Sequence, residues 1–199
     1  NGERLMDKLA DGRYIYYMNP GNSGWRSFAR SRMAAMVSGY TGIHLDNIDL
    51  NLNKPKRSLD NSDGTIKEYS SDDAYRNAIA GYLGYLKEMD GTLWINVLND
   101  RLNGSDWDLY LPKVDGVMHE AWATGYQPLS VSQWEASLKQ AATALSQGKG
   151  LLLVGRGDKS DTTKQRFALA SYLLIANSKA NFRYSNSSAY REWWDYSNY

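Results

Sequence analysis

The sequence predicts an α/β fold, a (β/α)8 TIM barrel of which the chain covers strands three to eight. Three observations carry this expectation. Short apolar runs alternate with stretches of helical periodicity, an order that implies parallel strands joined by crossovers with helices outside. The runs are apolar through their middles rather than strictly alternating, as strands covered on both faces are. Polar residues recur where the runs stop, and in a barrel the C-terminal ends of the strands carry the chemistry.

Taken in order, "RYIYYMNP" (13–20) reads as a strand stopped by Pro20, whose ring fixes φ and removes an N–H. "WRSFARSRMAAMVSG" (25–39) follows as a helix, with apolar Phe28, Met33, Met36 and Val37 and Gly39 as its stop. "GIHLDNI" (42–48) is the second strand. The long segment 51–70 comes next, and a loop of that length inside a domain is usually functional or mobile. The stretch 70–91 opens with Ser and Asp capping residues and closes at Gly91, a second helix. "TLWINVL" (92–98) and "GVMHEAW" (116–122) are the third and fourth strands. The third helix, 130–150, takes Ser132 as N-cap with Glu135 three residues on, the spacing of a capping box. "GLLLVGR" (150–156), a helix over 162–178 and the weaker strand "ANFRYSN" (180–186) complete the chain.

An open doubly wound sheet also fits such alternation, but it usually carries a GxGxxG turn after its first strand. "NPGNSG" (19–24) is not that motif, and no Walker-type GK[ST] occurs. The recurring polar strand ends favour the barrel: Asn19; Asp46 and Asn47; Asn96 and Asn99; His119 and Glu120; Arg156 and Asp158. Six strands are two fewer than a barrel needs, and a barrel takes about 250 residues. The expectation is therefore one catalytic-type domain, 1–199, whose first two strands lie outside the chain, consistent with a start at Asn1 rather than Met.

Composition narrows the chemistry. With 23 basic and 22 acidic residues the net charge is +1, which gives no argument for nucleic acid or for an anionic membrane surface. No window approaches the roughly 18 apolar residues of a membrane span. "NGERLMDKLADG" at the N-terminus lacks the apolar core of a signal peptide. Cysteine is absent and histidine is limited to His44 and His119, so cysteine-ligated and His-rich metal sites are excluded and no cofactor is expected. Aromatic usage stands out, with 15 Tyr and 7 Trp against 3 Phe. Tyr and Trp offer a flat apolar face with a polar edge, which suits sugar rings as well as a polar-edged core.

Two acids then stand out. Asp46 ends "GIHLD" and Glu120 ends "GVMHE". As ends of barrel strands four and six, both point to one mouth, and glycoside hydrolysis needs such a pair. Asp46 lies among amides, which favour an ionised carboxylate by hydrogen bonding. Glu120 is flanked by Met118, Ala121 and Trp122, apolar neighbours that suit an acid catalyst. Each acid has the alternative of a helix cap or an ion pair with Arg26, Arg156 or a lysine. Asn19, Asn47, Asn96 and His119 are candidates to bind sugar hydroxyls or to terminate strands. Trp25 and Trp122 are candidates to stack on sugar rings, whereas Trp94, inside its strand, is expected in the core. Arg156 and Asp158 hold substrate or each other, and Asp49 is the reserve carboxylate. The tail "REWWDYSNY" (191–199) is assigned to the barrel bottom or an interface, and Asn103-Gly104-Ser105 and Asn186-Ser187-Ser188 match a glycosylation sequon.

"YMNPGNSGWRSFARSRM", "GYTGIHLDNID", "VDGVMHEAW" and "GLLLVGRGD" followed by "RFALASYLLIAN" resemble the hypothetical glycosyl hydrolase family 15 type, barrel proteins related to the endo-α-1,4-polygalactosaminidase-like group. The resemblance runs over nearly the whole chain, and "GxxLDN" and "DGVxxE" are its most specific parts. It implies a (β/α)8 barrel, a retaining carboxylate pair with Asp46 as nucleophile and Glu120 as acid/base, and a polysaccharide substrate. It also implies strands before Asn1. The expected activity is hydrolysis of an O-glycosidic bond in an extracellular or cell-surface polysaccharide. The alternative is a catalytically silent glycan-binding or surface-assembly protein on the same scaffold.

Overall fold

The computed structural model describes residues 5–57, 66–97 and 107–186. Its centre is a five-stranded, wholly parallel sheet formed by β3 (Gly42–Ile48), β4 (Thr92–Val97), β5 (Gly116–His119), β6 (Gly150–Arg156) and β7 (Ala180–Ser185). The strands lie side by side in chain order, with no reversal. A doubly wound sheet reverses at a switch point, so this straight order is that of a barrel flank.

The segment 13–20 departs from expectation. Tyr14–Tyr16 (β2) pairs antiparallel with Met6–Lys8 (β1) in a hairpin of its own and does not join the parallel sheet. Gly12, at φ 85°, makes the tight turn between them. A two-stranded hairpin reads the same in sequence as a sheet strand, which is why the run "YIY" misleads. Its three side chains remain exposed.

The helices are α1 (Ser23–Met36), the single turn α2 (Asn53–Lys56), α3 (Asp72–Lys87), α4 (Val131–Ser146) and α5 (Thr162–Leu173). Asn22, Ser71 and Asp161 cap α1, α3 and α5, each accepting a backbone N–H from the first turn. For α4 the cap is Ser130, not Ser132, and the capping box closes with Gln133 rather than Glu135. Two overlapping S-x-x-[EQ] patterns compete there, and the outer one forms. Helix α3 stops at Lys87, before Gly91.

Alternate strand residues divide the sheet into two faces. Leu93, Ile95 and Val97 of β4, Val117 of β5 and Leu151 and Leu153 of β6 face the helices and form the core with Ile79, Leu83 and Leu86 of α3 and Ala141 and Ala144 of α4. Between β4 and β5, Trp107, Tyr110, Leu111 and Val114 pack into that core around a 3-10 turn at Leu111–Lys113. The opposite face carries His44, Asp46, Trp94, Asn96, Met118 and Leu152, by strand register.

Trp94 sits on that second face rather than in the helix-covered core, and its indole lies across the two adjacent strands. Cβ atoms added at Gly116 and Gly150 would fall 2.5 Å and 2.4 Å from ring atoms of Trp94. Both glycines stand in register with Trp94, so the ring occupies the space their side chains would fill. Gly116→Ala is therefore expected to cost about 1–3 kcal/mol through overpacking. Chemical denaturation measures it. The cost should vanish in a Trp94→Leu background, and persistence there would show that the ring is not the cause.

Candidate active site

The strand "GIHLDNI" does not simply end at its acid. Leu45 pairs with Ile95 and Ile48 pairs with Val97, so Asp46 and Asn47 together stand opposite Asn96. This is a β-bulge, a device that re-aims a side chain. Asn47 takes the left-handed backbone at φ 61°, which asparagine tolerates better than other side chains. From there both its backbone N–H (2.8 Å) and its side-chain amide (3.2 Å) donate to the Asp46 carboxylate. Asn47 is thus turned back onto Asp46.

Asn96, 3 % exposed, lies between the two acids. Its Nδ2 donates to Asp46 Oδ1 at 2.9 Å and to Glu120 Oε2 at 3.2 Å. One amide nitrogen with two hydrogens can serve one carboxylate with each, so both acids lie within hydrogen-bond reach of a single atom. The acids of β3 and β5 are brought together by one side chain of the strand between them.

Glu120 is the first residue beyond β5, and its other oxygen accepts from Arg156 at 2.9 Å. The turn that follows is pinned to β6. The Trp122 N–H donates to the Val154 carbonyl at 2.9 Å, and the Arg156 N–H donates to the Thr124 hydroxyl at 2.8 Å. Ala123 in this turn is left-handed at φ 57°. Among the described residues, Asn47 and Ala123 are the non-glycine positions with positive φ, and each closely follows one of the two acids. Backbone held this way costs about 1–2 kcal/mol per residue and persists where the surroundings fix it. Tyr126 completes the group. The Arg156 guanidinium lies 4.5 Å from its ring centroid, and Arg156 also reaches its hydroxyl at 3.4 Å. The hydroxyl is held above its usual range, first by partial desolvation and then by the charge of Glu120 and a hydrogen bond to it, with Arg156 pulling the other way.

This is a carboxylate pair on the C-terminal side of a parallel sheet, spaced by a shared amide. The sequence matches the model of the hypothetical glycosyl hydrolase family 15 over residues 1–199. The chain belongs to this family.

Among solved structures, the chain is similar to the glycoside hydrolase domain of PelA from Pseudomonas aeruginosa, with a TM-score of 0.52 and 19 % sequence identity over 87 % of this chain. It spans 64 % of that chain, less than two thirds, and at this identity the likeness concerns the fold alone. A comparison with the curated proteins found no match. No helix among the described residues is long and apolar enough to cross a membrane. Nor does any group of three or more His, Cys, Asp or Glu among them stand ready to hold a metal ion.

Several residues expected at the site of this family member lie elsewhere. His119, one residue before Glu120, faces the helices. It is 7 % exposed, with its ring 5.8 Å from Trp107 and 6.1 Å from Trp122 between ring centroids. Trp122 is fully buried in the core, so neither ring offers a face to a sugar. Glu120 meets Asn96 and Arg156 instead of the apolar neighbours expected from sequence. Arg156 pairs with Glu120 and not with Asp158, which is exposed and contributes its carbonyl to Tyr184 and Asp161. Asn19 accepts from the Gly21 N–H and the Tyr69 hydroxyl at the head of α1, while Trp25, half-buried on α1, packs on Phe28. Asp49, just beyond β3, is 8 % exposed; its charge raises the hydroxyls of Tyr17 and Tyr75 further, both pushed up first by burial. Asn99, the first sequon, residues 187–188 of the second and the 191–199 tail lie outside the described residues. Tyr126 is not legible as a site residue in the sequence, because nothing in "TGYQP" marks the Tyr as lying over an arginine of the next strand.

The buried His119 has a consequence for stability. Burial pushes its imidazole down to about 4, against about 6.5 in the unfolded chain. Between those values the unfolded chain binds the extra proton, so stability falls as pH drops from about 6.5 towards 4 and is fully present above that window. The loss is on the order of 2–3 kcal/mol. Melting curves from pH 7.5 to 4.5 should show it, and His119→Phe should flatten the slope; an equal slope in the variant would contradict this assignment.

Proposed function

We propose that the protein is a retaining glycoside hydrolase acting on a polysaccharide, with Asp46 as nucleophile and Glu120 as acid/base. One observation carries the reading: the Asn96 amide nitrogen bonds both carboxylates. Two carboxylates that share one amide nitrogen lie close together, which favours a retaining pair, at roughly 5–5.5 Å, over an inverting pair, at about 6.5–9.5 Å.

The two roles are those the family resemblance implies. Asp46 accepts from three N–H groups, which suits a carboxylate that must be ionised to attack. Asp46 attacks the anomeric carbon as the bond to the leaving oxygen breaks, and Glu120 gives that oxygen its proton. Water then attacks the glycosyl ester, Glu120 takes the water's proton, and Asp46 leaves as a carboxylate. Asn96 orients both acids throughout.

In this reading β3 to β7 correspond to barrel strands four to eight, and the open sheet face with Trp94 belongs to the barrel interior. The polymer is met outside the cell or at its surface, and fractionation that finds the protein in the cytosol would contradict this placement. The function is tested by screening polysaccharides and following the first-formed anomer by NMR. Retention of configuration supports the reading. Inversion overturns the mechanism, and glycan binding that survives Asp46→Asn without any turnover indicates a silent binding protein.

A further inference from the structure

We propose that Arg156 and Tyr126 form a clamp that fixes the direction of Glu120 and favours its charged form, with Arg156 acting through Glu120 and Tyr126 holding Arg156. The proposal rests on the reading of Glu120 as acid/base, and it names two positioning residues that this reading does not require.

Asn96 and Arg156 each hold one oxygen of Glu120, and the Tyr126 hydroxyl also reaches it. Asn96 takes Oε2 at 3.2 Å and Arg156 takes Oε1 at 2.9 Å, so the carboxylate has no freedom to swing away from Asp46 without losing a charged partner. Arg156 and Glu120 are largely buried, with side chains 16 % and 22 % exposed, where a charge pair is screened less than at the surface. The guanidinium is itself fixed by the tyrosine ring beneath it, 4.5 Å away, and by the tyrosine hydroxyl. The turn that carries Tyr126 is tied to β6 at Val154 and at Arg156 itself. Glu120, Arg156 and Tyr126 are therefore joined to β6 by these contacts.

Several charged and titratable groups among the described residues face Glu120 or stand near it. Asp46 faces it from β3 across Asn96, Arg156 from β6 and Tyr126 from the turn. Arg183 of β7 lies on the same sheet face, in register with Val154, and His119 lies on the opposite face. Arg156 is a cation bonded directly to Glu120. A neighbouring cation favours a carboxylate's charged form, so without it Glu120 keeps its proton to higher pH.

The test follows the Glu120 side-chain carboxyl carbon by NMR in protein labelled with 13C-glutamate, the signal being identified by its absence in Glu120→Gln. This readout needs no substrate, so it fails or succeeds independently of the proposed activity. Arg156→Met should move the Glu120 titration upward by about one pH unit or more, Arg156→Lys should leave it near the original, and Tyr126→Ala should give a smaller upward shift. With a substrate in hand, the descending limb of the kcat/KM profile should move upward with the NMR value in Arg156→Met. An unchanged titration in folded Arg156→Met overturns the proposal. A raised KM with unmoved limbs would instead make Arg156 a substrate-binding residue.

Discussion

Asp46→Asn is expected to lower glycoside hydrolysis by about 10⁴-fold or more while leaving the melting temperature within a few degrees. The side chain is exposed at a bulge, and an amide there keeps an oxygen to accept from Asn47. The loss is therefore chemical and not structural. Glu120→Ala should behave differently. It should be severe on a natural polysaccharide, whose leaving oxygen needs a proton, and milder on a glycoside with an activated leaving group. Azide should accelerate that variant, because it attacks the glycosyl ester without needing a general base. If Glu120→Ala hydrolysed the polymer at the original rate, Glu120 would not be the acid.

The second large effect is expected at Asn96, which touches both acids. Asn96→Ala removes two hydrogen bonds to charged groups, each worth about 1.5–3 kcal/mol, and frees both carboxylates to turn. A fall in kcat of about 10²–10³-fold should result, with KM changing far less. Asn96→Asp should be at least as damaging, since it replaces the shared donor by a third carboxylate. A variant that lost only KM would show that Asn96 binds sugar and does not organise the acids. Circular dichroism separates either result from misfolding.

The parallel sheet is legible in the sequence for physical reasons, and so is the position of two acids at its strand ends. Five of the six expected strands join one parallel sheet, because buried strands leave unbroken apolar runs. Asp46 and Glu120 stood out because a carboxylate directly after such a run needs an explanation. The hairpin of β1 and β2 was not legible, since "YIY" carries no mark of its partner. Neither was the bulge at Asp46 and Asn47, which appears only when β3 is paired with β4. The inward turn of His119 towards the helices is itself readable in the sequence. Neighbouring residues at a strand end face opposite sides, so a Glu120 that points to the mouth already sends His119 towards the helices. The partner of Arg156 depends on how the turn after β5 docks on β6, a tertiary fact that spacing does not encode.

Asparagine 47 shows how a local rule serves the site. A non-glycine residue in the left-handed region is uncommon, and asparagine is among the few that enter it readily. The "LDN" of the sequence is therefore one unit. The aspartate supplies the carboxylate, and the asparagine supplies both the bend and two of its donors.

The most direct measurement is mass spectrometry of the protein after incubation with a panel of 2-deoxy-2-fluoro glycosyl fluorides, which slow the second step and trap a glycosyl ester. The account predicts a single adduct on the peptide that contains Asp46, absent from Asp46→Asn. An adduct on Glu120 with Asp46 unmodified, or inverted product with no adduct, would contradict it.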